Sequence, residues 1–274
     1  MQIFTTHQRP KLIDFKESLM LKENTIHLGD CLDLMPSIPS KSVDMILCDL
    51  PYGTTACEWD SIIDMGRLWA EYERVIKDNG AIVLTACNEF TFALYNSNPK
   101  IFKYRWIWEK SLATGFLLAK KQPMRNFEDV LVFYKKQPTY NPISFKKGKP
   151  IGNKISKQTT CEVYSQQRCI QQKIGHTDRL PTTILKFDSA NTGSNINPTI
   201  HPTQKPVALF EYLIKTYTNE GELVLDNCSG SGTTAIACMN ANRRFICIER
   251  DETYHRKSLE RLANHEPLLH MGDK

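Results

Sequence analysis

The sequence predicts an α/β fold: a largely parallel sheet with helices on both faces, built in permuted order and interrupted by an inserted region. Three observations lead there. Short continuous apolar runs (Ser42–Leu50 and Ala81–Thr85 early, Glu222–Asp226 and Arg244–Glu249 late) read as strands buried on both faces. Stretches of helical period lie between them. Only 25 residues follow Glu249, too few to complete a doubly wound sheet, so the late strands must take their neighbours from residues 26–90.

The elements follow in order. Residues 1–24 read as an N-terminal extension, and residues 25–102 as the first half of the domain. Met65–Lys77 predicts a helix, with Leu68, Trp69, Tyr72, Val75 and Ile76 on its apolar face and Asp78-Asn79-Gly80 as its stop. Residues 103–200 begin with strand-like Tyr104–Trp108 and Val130–Tyr134, where Trp106 and Trp108 alternate as core positions. They then turn polar, with turn-forming Asn141-Pro142, Gly148 and Asn191 to Pro198, as in a small irregular domain or a set of long loops. Residues 201–274 are α/β again. Pro206 opens a helix with Phe210, Leu213, Ile214 and Tyr217 at helical spacing, and further helices are predicted over Gly232–Asn240 and Glu252–Ala263.

Composition narrows the function classes. No apolar run is long enough to span a bilayer, and the first twenty residues lack a signal-peptide core. Nine cysteines are scattered without a CxxC pair or zinc spacing. They read as thiols of a reducing, cytoplasmic compartment, with neither disulfide nor structural metal. The net charge of +5 is unevenly distributed. Residues 100–200 carry 18 Lys and Arg against 6 Asp and Glu, whereas the remainder carries 17 against 24. One strongly basic segment on a mildly acidic body points to an acidic polymer as partner.

Two loops at strand ends carry the chemistry. Asp226-Asn227-Cys228-Ser229-Gly230-Ser231-Gly232-Thr233-Thr234 joins a strand to a helix, and its two glycines let the backbone turn tightly beside a ligand. Glu249 ends the next strand, where a carboxylate can accept two ribose hydroxyls. Gly230 to Ala235 also fits a dinucleotide fingerprint, so the loop alone leaves open which adenosine cofactor it holds, a nicotinamide included. The second loop, Asp49-Leu50-Pro51-Tyr52, directly follows the buried run Ser42–Leu50. An amino group on a nucleobase is a poor nucleophile, because its lone pair is delocalised into the ring. A carboxylate and a backbone carbonyl set side by side by a proline turn can draw its hydrogens aside, and Tyr52 offers an aromatic face for the base.

Taken together, the motifs resemble the β-group of DNA amino-methyltransferases, which modify adenine N6 or cytosine N4 and often belong to restriction–modification systems. The order carries the resemblance: DLPY (49–52), a recognition region, His201-Pro202-Thr203-Gln204-Lys205-Pro206, then the glycine loop (226–234). It extends from Ile26 to Leu262. It implies a Rossmann-like methyltransferase sheet, S-adenosylmethionine as cofactor, and double-stranded DNA as partner of a monomer or homodimer. By resemblance Asp49 and the Leu50 carbonyl, set by Pro51, orient the target amino group, and Tyr52 stacks on the base. Leucine at 50 departs from the family's usual proline, a change the backbone carbonyl tolerates. Asp49, where cytosine enzymes tend to carry serine, favours adenine. Asp226, Gly230, Ser231, Gly232 and Thr233 surround the methionine part of the cofactor, with Cys228 in place of a frequent phenylalanine. Glu249 holds the ribose, Asp30 and Cys31 lie at the adenine, and His201 and Lys205 lie near the methionine carboxylate with Lys205 as countercharge. Residues 103–200 become the target-recognition region, with Arg105, Lys110, Lys120, Lys121 and Arg125 as phosphate contacts.

Overall fold

The computed structural model describes residues 20–53, 62–144, 179–190, 200–201 and 203–266. Most of the irregular, basic stretch (145–178 and 191–199) and the N-terminal extension up to residue 19 lie outside them.

Among the described residues eight strands form one sheet: β1 (Thr25–Leu28), β2 (Val43–Cys48), β3 (Ile76–Ala86), β4 (Phe102–Thr114), β5 (Arg125–Phe133), β6 (Ile184–Phe187), β7 (Leu223–Asp226) and β8 (Arg244–Glu249). Their order across the sheet is β1-β8-β7-β2-β3-β5-β4-β6. The late strands β7 and β8 thus insert between β1 and β2, in the permuted order expected. Pairing is parallel from β1 through β3, antiparallel on both sides of β5, and parallel again between β4 and β6.

Burial follows from that order. All six residues of β2 are buried, as a central parallel strand requires. Met45 and Leu47 face a layer formed by α4 (Val207–Tyr217) and α5 (Thr233–Asn240). Ile46 and Cys48 face the opposite layer, where α2 (Met65–Val75) contributes Leu68, Trp69, Tyr72 and Val75 and α3 (Asn88–Ser97) contributes Phe90 and Leu94. The short α1 (Cys31–Leu34) and the C-terminal α6 (Glu252–Ala263) flank the β1 edge.

Two elements differ from the sequence expectation. Helix α2 ends at Val75 rather than Lys77, and β3 begins at Ile76 with no linker between them. Sheet pairing overrides helical period here: Ile76 pairs with Val43, and the register then jumps so that Ala81 pairs with Met45. Gly80 permits the jump, because a Cβ there would lie 2.7 Å from the Ile76 side chain and 2.8 Å from the Asp44 carbonyl oxygen. Asp44 fixes the same place, accepting from Lys77 Nζ at 2.6 Å and from the Leu223 amide at 3.0 Å. The second difference is in residues 103–200, where β4, β5 and β6 extend the main sheet.

Strand β4 is fastened to α4 by a buried polar contact. Trp106 Nε1 donates to Tyr217 Oη at 2.7 Å, and the Tyr104 and Tyr217 hydroxyls are 2.8 Å apart. Tyr217→Phe leaves the buried indole N–H without an acceptor, so it should lower unfolding free energy by about 1–3 kcal/mol in chemical denaturation. An unchanged denaturation midpoint would show that this contact does not hold β4 to the core.

Candidate active site

The carboxyl ends of β1, β2, β7 and β8 open into a cavity of about 770 Å³, walled on another side by β4 and β5. This is where a parallel sheet places its ligands, and the volume lies in the usual range of a small-molecule pocket. Every residue expected in the catalytic turn or around the cofactor lines it except Gly232.

Asp49 sits just past the end of β2. Tyr52 Oη donates to Asp49 Oδ1 at 2.7 Å, and Thr85 Oγ1 on β3 donates to the same oxygen. Lys205 Nζ donates to Asp49 Oδ2 at 2.5 Å and lies 3.5 Å from Glu128 Oε2. The ammonium is buried, at 7 % side-chain exposure. Burial by itself lowers the lysine pKa, but Asp49 and Glu128 outweigh it and carry it up to about 12, so Lys205 remains charged. Burial, reinforced by the Asp49 charge, pushes the Tyr52 phenol well above its ordinary value, which keeps its hydroxyl a donor. The Tyr52 ring packs 4.9 Å from Phe90.

Glu128 and Lys110 were not singled out as members of this cluster from the sequence. Lys110 Nζ donates to Glu128 Oε1 at 3.0 Å with only 9 % of its side chain exposed, while Glu128 Oε2 is buried without a hydrogen-bond partner. The available signal was a carboxylate pair, Glu128-Asp129, set directly against the buried run Val130–Phe133. Lys110 therefore belongs to the cavity wall rather than to an exposed phosphate-contacting surface. Arg105 is ion-paired with buried Asp129 at 3.1 Å, with about half of its side chain still exposed.

The glycine loop is held by its own sequence. Gly230 and Gly232 have φ of 50° and 72°, in the left-handed region that favours glycine. Gly232 caps α5 against Ile26 and Ser258, which explains its place outside the cavity lining. Glu249 accepts from the Gly230 amide at 2.6 Å and the Asp251 amide at 2.8 Å, so it shapes the loop as well as facing the cavity. Arg261 on α6 donates to the Ser231 carbonyl at 2.9 Å, a brace the sequence did not reveal. Thr233 Oγ1 donates to the Lys205 carbonyl at 3.3 Å, joining this loop to the charged cluster. His201 stands with its ring 4.2 Å from Tyr254, its Nδ1 3.0 Å from Thr203 Oγ1, and its pKa lowered by burial. At the far end Asp30 caps α1 through the Leu32 amide at 2.8 Å, with Cys31 beside it.

Asp226, at the end of β7, is buried and accepts from Thr234 Oγ1 and from the Cys228 amide, the latter at 3.1 Å. Burial dominates and raises its carboxyl to about 7. The folded state then retains a proton that the unfolded chain has already released. This contribution to stability is complete below about pH 4, the unfolded value, and is lost as pH rises through about 7. In the cofactor-free protein, Asp226→Asn should therefore flatten the fall in unfolding free energy between about pH 4 and 7, whatever its effect on absolute stability. An identical slope in both proteins would mean that Asp226 is ionised throughout.

Residues 43–260 match the DNA methylase family of the N6/N4 type, and the chain belongs to that family. DNA adenine methyltransferase YhdJ of Escherichia coli (strain K12) is 28% identical over 255 residues, covering 87% of this chain and 82% of that protein. Type II methyltransferase M1.MboII of Moraxella bovis is 27% identical over 251 residues, covering 86% and 95%. Among solved structures, the M1.HpyAVI–SAM complex superposes with a TM-score of 0.58 at 24% identity, covering 87% of this chain and 98% of that one. The cytosine-N4-specific PvuII DNA methyltransferase gives 0.60 at 16% identity, covering 90% and 89%. The last two establish a common fold.

Proposed function

We propose that the chain transfers a methyl group from S-adenosylmethionine to the N6 amino group of an adenine turned out of duplex DNA. The observation that carries this reading is the juxtaposition of the Asp49–Tyr52 turn and the Asp226–Thr233 loop in one cavity, with Lys205 bonded to both. Asp49 at the first motif position and the similarity to an adenine methyltransferase support adenine over cytosine.

The residues fit the cofactor. The left-handed glycine turn lets backbone approach it, Glu249 faces the cavity for the ribose hydroxyls, and Asp30 and Cys31 stand at the end suited to the adenine ring. Asp226 supplies a carboxyl for the cationic methionine end. When bound, the cofactor supplies a methyl group activated by its sulfonium. The remaining work falls to the chain. Asp49 accepts one hydrogen of the target amino group and the Leu50 carbonyl accepts the other, directing the nitrogen lone pair toward the donor. Extruding a base from the duplex costs a few kcal/mol, on the order of what stacking on the Tyr52 ring returns, about 1–3 kcal/mol.

In this reading Lys205 serves the acceptor half. Its ammonium holds Asp49 in place and keeps two neighbouring carboxylates from repelling one another. Lys205→Met should lower kcat by at least about tenfold while the cofactor Kd moves less than about threefold. The opposite split would return Lys205 to the role of countercharge for the methionine carboxylate.

The direct test is to incubate the protein with unmethylated DNA and isotope-labelled S-adenosylmethionine, then identify the modified nucleoside by mass spectrometry. N6-methyladenine is expected. Asp49→Ala should reduce its formation by at least about a hundredfold with cofactor binding largely retained. N4-methylcytosine would keep the chemistry and change the base, and near-normal turnover in Asp49→Ala would remove Asp49 from the reaction.

A further inference from the structure

We infer that the tip of the β4–β5 hairpin enters the DNA duplex and fills the space that the extruded base leaves behind. This rests on the DNA-methylating function proposed above and adds to it a specific structural element.

The hairpin is anomalous for a surface. Isolated exposed apolar residues are ordinary, but a cluster is not. Phe116, Leu117 and Leu118 are consecutive and are 79 %, 96 % and 47 % exposed. Leu112, Met124 and Phe127 on the same hairpin are also exposed. None of residues 111–124 is buried. The tip is nevertheless built. Phe116–Leu118 form a 3₁₀ turn closed by the Leu118 amide on the Gly115 carbonyl at 3.0 Å and the Ala119 amide on the Phe116 carbonyl at 3.0 Å. The Lys121 amide adds a bond to the Leu118 carbonyl at 2.8 Å. The apolar side chains are thus presented on a formed turn.

Charge and position identify the occupant. Lys120, Lys121 and Arg125 flank the turn, and no Asp or Glu occurs from Ser111 to Phe127. An apolar point flanked by cations alone suits a stack of bases between two phosphate backbones, and aromatic and leucine wedges are the side chains that part base steps in this way. The strands that carry the tip also wall the cavity: Leu112 and Thr114 on β4, and Arg125 and Phe127 on β5, line it beside Asp49 and Glu128. The tip therefore stands at the rim of the chamber that receives the base. An apolar insertion there compensates for the stacking and pairing lost on extrusion.

The test uses the full chain and a short duplex containing the sequence that is found methylated when reaction products are sequenced. In one version the target base is paired, and in the other it is mispaired, so that extrusion is already easy. Phe116→Ser/Leu117→Ser is expected to lower kcat/KM at least about tenfold on the paired duplex and less than about threefold on the mispaired one. Cofactor Kd and sedimentation should match the wild type. An equal loss on both duplexes, or no loss on either, overturns the proposal. So does conversion of a dimer to a monomer, which would make the tip a protein–protein contact. If wild-type protein methylates no DNA at all, the function proposed above fails and this inference fails with it. An active wild type with an indifferent double variant sinks this inference alone.

Discussion

The site depends on a buried ammonium held between two carboxylates. Lys205, Asp49 and Glu128 come from the segment preceding α4, the end of β2 and the start of β5, so the cluster exists only when all three are in place. Taking a lysine out of water costs several kcal/mol unless opposite charge and hydrogen bonds offset it, and here two carboxylates do so. Replacing such a cluster with apolar side chains often stabilises a protein, so its presence at a cavity is better explained by chemistry than by stability. Through the Lys205 carbonyl and Thr233 the glycine loop is positioned from the same point.

The order of the sheet makes this possible. With β7 beside β2 and β3 beyond it, the Asp49–Tyr52 turn and the glycine loop leave adjacent strands on the same side. Antiparallel β5 brings Glu128 to that side from the opposite direction, two residues before Val130 pairs with Thr85. Along the rim, the charged groups divide the cavity. The Lys205 cluster keeps an ion pair at the Asp49 end, whereas burial raises the carboxyls of Asp226 and Glu249 at the other. A cationic group beside Asp226 would offset the cost of ionising it.

Much of this was legible in the sequence, and what was not has physical causes. The buried strands β2, β7 and β8 announced themselves as continuous apolar runs, and their permuted order was readable in the order of the motifs along the chain. Helix α3 escaped because its apolar positions are weakly segregated between faces. Strand β6, four residues in a polar stretch, owes its place to pairing with β4, which no local pattern encodes. The motif residues Asp49, Tyr52 and Asp226 were visible because loop chemistry is local. Glu128, Lys110 and Arg261 were not, because each acquires its role from a partner 18 or more residues away. Lys205 was found, but its partner Asp49 lies 156 residues away, and only the fold shows them bonded.

The proposed function puts donor and acceptor in one chamber beside the Lys205 cluster. It is tested most directly with a bisubstrate ligand: an amine analogue of S-adenosylmethionine joined by a short carbon linker to N6 of adenosine. Titration calorimetry would compare it with the donor half alone. The joined ligand is expected to bind at least about a hundredfold more tightly, with most of the gain lost in Asp49→Ala. Equal affinity for the joined ligand and the donor half, or a gain that Asp49→Ala leaves intact, would contradict it.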